Sequence, residues 1–210
     1  TVVAAAIART LATEGGSVAV FKPVVTGLDD PGEPDHALLR RAAGCGQSDD
    51  EVAPYRYGPA VSPHLAATLA GEAIDPARLV RAAMDVAAGA DALVCEGVGG
   101  LLVPLSLKPR YLVRDLAADL ALPLVIAASP GLGTINHTLL TLAAARDASL
   151  DVAAVVLTPW PERPGRIEES NRETIAALGE VEVETLPRLD LTDPRGWPRL
   201  GPRDDRLANR

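Results

Sequence analysis

The chain has little sulfur, few aromatic rings and hardly any lysine. Its two cysteines, Cys45 and Cys95, stand far apart and in no metal-ligand spacing. That speaks against a disulfide framework or a zinc site, and a reducing, cytoplasmic setting is the expectation. His36, His64 and His137 are too scattered to supply ligands instead. Aromatics make up 3% of the chain against 48% apolar residues, so the core must be built from Ala, Val, Leu and Ile. No apolar run approaches the ~20 residues of a membrane span, and no signal peptide is visible. Positive charge is also short. The formal net charge of −8 argues against broad nucleic-acid binding and against an anionic membrane surface, while leaving room for a local phosphate pocket. Lys22 and Lys108 are the only lysines in an Arg-rich chain.

What is present is an alternation of helical and apolar extended segments. Helical patterns cover Val2–Ala12, Ala37–Ala43, a stretch opening at Ser62-Pro63-His64, Pro76 to about Ala88, Leu112–Leu120, about Thr134–Arg146 and Arg166–Leu178. Between them run apolar segments at Ser17–Val25, Ala92–Cys95, Pro123–Ala128, Val152–Leu157 and Val181–Leu186. Asp75-Pro76 reads as a helix cap followed by proline at the first helical position. Residues 44–63 are expected to be irregular. This alternation predicts an α/β fold: a mostly parallel sheet with helices on both faces, in one domain spanning residues 1–210. The polar, proline-bearing segment 190–210 is expected to be a surface segment or a flexible, partly disordered tail.

The strand ends carry the chemistry. Cys95-Glu96-Gly97-Val98-Gly99-Gly100 runs a buried strand into a carboxylate and then a glycine turn. In open α/β sheets ligands bind outside the carboxyl ends of strands, a carboxylate there can hold Mg²⁺, and glycines let backbone N–H groups approach an anion. Taken alone, this stretch reads first as a strand ending in an ordinary turn with an exposed Glu, and the other strand ends change that balance. Lys22 closes another strand in Lys22-Pro23-Val24-Val25-Thr26-Gly27, where Pro23 ends regular pairing. Asp35 precedes a helix, a place where Asp commonly does no more than cap. Gly131-Leu132-Gly133-Thr134-Ile135-Asn136-His137 opens a helix, either an ordinary entry or an anion site. Thr158-Pro159-Trp160-Pro161 ends the next strand.

KPVVTG, EGVGG followed by Pro104-Leu105-Ser106, and the GxxNH of residues 133–137, in this order, resemble the dethiobiotin synthetase family from Thr1 to about Leu189. That resemblance implies a P-loop NTPase-like fold and the ATP-dependent closure of a ureido ring from 7,8-diaminopelargonate and CO₂. It aligns Thr1 with the last residue of a Walker loop, and the glycines and lysine of that loop, with one short strand, are expected in roughly 12–15 residues upstream. It implies Thr1, Asp35 and Glu96 as Mg²⁺ ligands and Lys22 as the catalytic cation. Thr26 would bind the diamine or its carbamate, and Asp35 with Glu96, Gly97, Val98 and Gly99 would line the ATP phosphates. Thr158 and Pro159 would touch adenine, where the family carries Asn, and Leu186, Pro187 and Arg188 would close over the base. Gly133, Thr134, Asn136 and His137 would receive the substrate carboxylate across the interface of a homodimer. Two other readings compete: a ligase of the cobyrinate a,c-diamide synthase type, for which no glutaminase domain is present, and a ParA/MinD-like ATPase, against which the acidic balance and KPVVTG speak.

Overall fold

Alanine lets the first helix lie close to two sets of strands at once. The computed structural model describes residues 1–201. In chain order the elements are α1 (Val2–Thr13), β1 (Val18–Phe21), β2 (Val24–Val25), α2 (Asp35–Ala43), α3 (Asp49–Val52), β3 (Tyr55–Arg56), α4 (Pro63–Leu69), α5 (Pro76–Ala87) and β4 (Ala92–Cys95). They continue with β5 (Pro104–Leu107), β6 (Arg110–Leu112), α6 (Val113–Leu120), β7 (Leu124–Ala128), α7 (Thr134–Asp147), β8 (Val152–Trp160), α8 (Arg166–Gly179) and β9 (Val183–Pro187). The longer helices and the strands β4, β7, β8 and β9 fall where the apolar patterning predicts, with β8 three residues longer than expected; α3, β3 and the β5–β6 hairpin are not among the expected elements, and the segment 17–25 forms two strands, β1 and β2, rather than one.

The strands are parallel in β1–β4, β2–β3 and β7–β8–β9, and antiparallel only in the β5–β6 hairpin. Among the described residues the hydrogen-bonded strands fall into separate ladders. β1–β4 and β7–β8–β9 share no backbone hydrogen bonds, and among the described residues β4 and β7 each pair along one edge only. α1 buries Val3, Ala5, Ala6 and Ile7 in a core that also contains Val20 and Val94 of the first group and Val156 and Leu186 of the second.

Alternation along β1 directs Val18 and Val20 to the α1–α2 side and Phe21 to a second core with α4, α5 and α6. A third core joins β7, β8 and β9 to α7 and α8 through Ile126, Leu142, Val155, Leu157 and Ile175. Helices therefore cover both faces, as the alternation predicts.

The stretch 44–63 is less irregular than its prolines suggest. It holds α3, whose cap Ser48 accepts from the Glu51 amide while Glu51 accepts from the Ser48 amide. Gln47 occupies the outer edge of β1. Its amide oxygen accepts from Val20 N at 2.8 Å and its amide nitrogen donates to Val20 O at 3.0 Å, imitating a neighbouring strand.

The C-terminal segment corrects its sequence reading. From Asp190 to Leu200 it docks on α1 rather than hanging free. Leu200 is 3% exposed within the first core, and its amide donates to Thr10 Oγ1 at 2.9 Å. Trp197 packs partly against the same core, and its indole N–H donates to Asp190 O. One buried leucine outweighs the polar composition around it. Residues 202–210 lie outside the described residues. Leu200→Ala is expected to lower unfolding stability by about 2–3 kcal/mol, near the lower end of buried Leu→Ala costs. Chemical denaturation checks this, and an unchanged midpoint would mean the segment does not dock in solution.

Candidate functional site

The site follows from strand register. β1 and β4 pair in parallel with Phe21 opposite Cys95, and Glu96 N donates to Phe21 O at 2.8 Å. The next residue on each chain is therefore Lys22 beside Glu96. Both leave the sheet at the carboxyl end, where ligands bind in such folds. Lys22 N in turn donates to Val52 O at 2.8 Å, so the strand end is held from its outer side as well.

The Lys22 side chain is 5% exposed, and its ammonium meets Glu96 Oε1 at 2.7 Å, Asp35 Oδ2 at 2.9 Å and Gly97 O at 3.1 Å. Asp35 is the first residue of α2, not its cap, and Pro34 precedes it in extended conformation. Its carboxylate points at Lys22 and Thr1 instead of at the helix backbone. Thr1 Oγ1 lies 2.5 Å from Asp35 Oδ1 and 2.7 Å from Glu96 Oε1. A hydroxyl carries one proton, so it donates to only one of them at a time. Three oxygens thus crowd into one shell.

The two carboxylates differ in surroundings. Burial pushes Asp35 up, but the Lys22 charge and the hydrogen bonds from Thr1 and Lys22 outweigh it and hold the carboxyl below its ordinary value. Glu96 takes all its contacts on Oε1, while Oε2 is buried and has no partner. Leaving such an oxygen unpaired is costly, and a cation bound there would satisfy it. Among the described residues no three His, Cys, Asp or Glu side chains converge to form a metal cage. Two carboxylates and a hydroxyl suit a hard ion that keeps waters and phosphates as its other ligands. Cys95 is no competitor as nucleophile, because burial and then the Glu96 charge push its thiol up to about 12.

The glycine turn beyond Glu96 requires glycine. Gly99 has φ +66°, and a Cβ there would stand 3.1 Å from Val103 Cγ2. Val98 between the glycines points into the second core, so any ligand contact it makes is through its backbone.

The other predicted residues do not join this cluster. No hydrogen bond or ion pair links them to Lys22, Asp35 or Glu96. Thr26 follows β2, half-buried, and the Gly27 amide beside it donates to Pro59 O at 3.1 Å. Thr158 and Pro159 lie within β8 rather than beyond it. Leu186 is 1% exposed in the α1 core, so its side chain cannot lie over a base, whereas Pro187 and Arg188 are exposed. At the start of α7, Gly133 caps the helix with φ +92°, Thr134 is buried with its hydroxyl 3.3 Å from that of Thr138, and Asn136 and His137 are exposed. Two supporting residues escaped the sequence reading. Gln47 sits in an irregular stretch with no local signal. Asn171, in the interior of α8, donates to Pro130 O at 2.8 Å and Gly131 O at 3.0 Å. Its one signal was an Asn where helices disfavour it.

Parallel strands, helices on both faces and a Lys–carboxylate cluster beside a glycine turn define a nucleotide-binding α/β domain of the P-loop type. Residues 1–195 match the family model described as an AAA domain. The chain is 40% identical over 194 residues to the ATP-dependent dethiobiotin synthetase BioD of Rhodococcus erythropolis, covering 91% of this chain and 81% of that relative. It is 40% identical over 209 residues to the synthetase of the same name from Mycobacterium sp. (strain KMS), covering 95% and 87%. The one from Bacillus velezensis is 31% identical over 192 residues, covering 90% and 82%. The chain belongs to the dethiobiotin synthetase family.

Proposed function

We propose that this protein is an ATP- and Mg²⁺-dependent synthetase that closes the ureido ring of dethiobiotin from 7,8-diaminopelargonate and CO₂, releasing ADP and phosphate. The observation that carries the reading is the Lys22 ammonium held between Glu96 and Asp35 at adjoining parallel strand ends. One substrate amine captures CO₂ as a carbamate. The carbamate oxygen takes the terminal phosphoryl group of ATP. The second amine then attacks the carbamoyl carbon, phosphate leaves, and each nitrogen has given up a proton.

Lys22 is a compact point charge that can lie against both the carbamate and the transferring phosphoryl oxygens. Thr1, Asp35 and Glu96 would hold Mg²⁺, which neutralises charge on the phosphates when bound. The unpartnered Glu96 Oε2 and the crowded oxygens support that assignment. Backbone N–H groups at Gly97–Gly99 would face the phosphates, and Thr26 the diamine. Among the described residues no helix is long and apolar enough to cross a membrane, and the substrates are small molecules. The test is ADP release. It should require both the diamine and bicarbonate. ATP turnover indifferent to either would overturn the reading.

The α7 start is proposed to receive the substrate carboxylate from a second copy of the chain, in a homodimer. Its exposure supports this: Leu132 is 94% exposed and Leu140 61% exposed on the same segment as Asn136 and His137. A site built from Lys22 of one copy and Asn136 of the other predicts complementation. Asn136→Ala and Lys22→Ala subunits, each impaired alone, should regain activity when mixed, because one hybrid site carries neither lesion. A mixture no better than its parents would exclude the shared site.

A further inference from the structure

The segment Ser129–Gly133 has no regular structure of its own, yet it must set the amides at the entry of α7. α8 sets it. Asn171, 6% exposed, directs its side-chain nitrogen at two successive carbonyls, Pro130 O at 2.8 Å and Gly131 O at 3.0 Å. Gly131 O also accepts from Thr134 N at 3.3 Å, which ties the same carbonyl into the first turn of α7. The peptide bonds concerned are trans, so each N–H points opposite to the C=O of the same peptide unit. Turning the Pro130 and Gly131 carbonyls inward to Asn171 therefore turns the amides of Gly131 and Leu132 outward. Neither amide has a hydrogen-bond partner among the described residues. They stand next to the N-terminus of α7, whose own first amides carry partial positive charge.

We infer that Asn171 is a positioning residue for substrate binding: it sets the peptide planes of residues 130–132 so that two outward amides join the α7 start in receiving the substrate carboxylate. The inference rests on the proposed role of that helix start. Asn171 itself touches no substrate. Two donors facing two carbonyls is an arrangement that only an amide of this size fills; an isosteric carboxylate would oppose oxygen to oxygen and release both peptides.

The test compares the diamine acid with its methyl ester in the wild-type enzyme and in Asn171→Asp. Wild type is expected to bind the ester with a KM about tenfold above that of the acid. Asn171→Asp should raise KM for the acid about tenfold, leave kcat and the KM for ATP within about twofold, and leave KM for the ester unmoved. If wild type does not distinguish ester from acid, the carboxylate role of α7 itself falls. If wild type distinguishes them and Asn171→Asp behaves as wild type, the Asn171 inference falls alone. Equal weakening of acid and ester would reduce Asn171 to a scaffold role and overturn it as well. Should Asn171→Asp fail to fold, Asn171→Ser, which keeps one donor, is read against the same outcomes.

Discussion

Lys22→Ala is expected to lower kcat by about 10²–10³-fold, the usual loss when one aligned charge or donor is removed from a developing anion. The ammonium touches both carboxylates and the Gly97 carbonyl from a nearly dry position, so no other side chain can replace it. Its loss also leaves Glu96 and Asp35 facing each other with less positive charge between them. Breaking a fully buried pair costs ~3–5 kcal/mol, but the Asp35 side chain is 43% exposed and can hydrate, so a smaller cost of about 1–2 kcal/mol is expected. Mg²⁺ with ATP would bind the freed carboxylates and should raise the melting temperature of the variant more than that of wild type. Lys22→Arg is expected to be poor as well. Its planar fork is wider and cannot converge on three acceptors arranged around one nitrogen. Steady-state kinetics with melting curves separate the two effects, and near-normal kcat in either variant excludes the catalytic assignment.

Glu96→Gln carries the second largest expected effect. The side chain keeps its shape, and its remaining oxygen can still accept from Lys22 and Thr1. What it loses is charge, on a group whose second oxygen is buried without a partner. As a metal ligand it should therefore fail while the fold persists. The Mg²⁺ concentration for half-maximal rate is expected to rise at least about tenfold, and kcat to fall by about 10²-fold, with stability changed by no more than about 1 kcal/mol. Titrating Mg²⁺ at saturating ATP reads the first quantity directly. An unchanged Mg²⁺ dependence would remove Glu96 from the metal site.

Both predictions depend on residues whose types were legible and whose meeting was not. KPVVTG and EGVGG could be found because each is a local event, an apolar run broken by a charge and a turn former. That Lys22 touches Glu96 follows from parallel register between segments 74 positions apart, and register is settled by which faces of β1 and β4 can be buried together. Asp35 is a sharper case. Local rules offered it as a helix cap, and the structure uses it at the first helical position, aimed across the site. Leu186 went the other way, from an expected ligand contact to a core position beside α1.

By itself the sequence determined the longer elements: alanine-rich and periodic stretches as helices, Val- and Ala-rich runs as buried strands, and a glycine turn after Glu96. These are short-range consequences of side-chain shape and spacing. Tertiary structure alone decided that α1 packs against residues of β1, β4, β8 and β9 together, that Gln47 closes the edge of β1, and that Leu200 returns a polar tail to the core. It alone decided that Asn171 reaches the loop before α7. Each of these is one contact between residues distant in the chain. Such a contact changes neither periodicity nor composition nearby, because its energy comes from burial and pairing that exist only once the helices have packed.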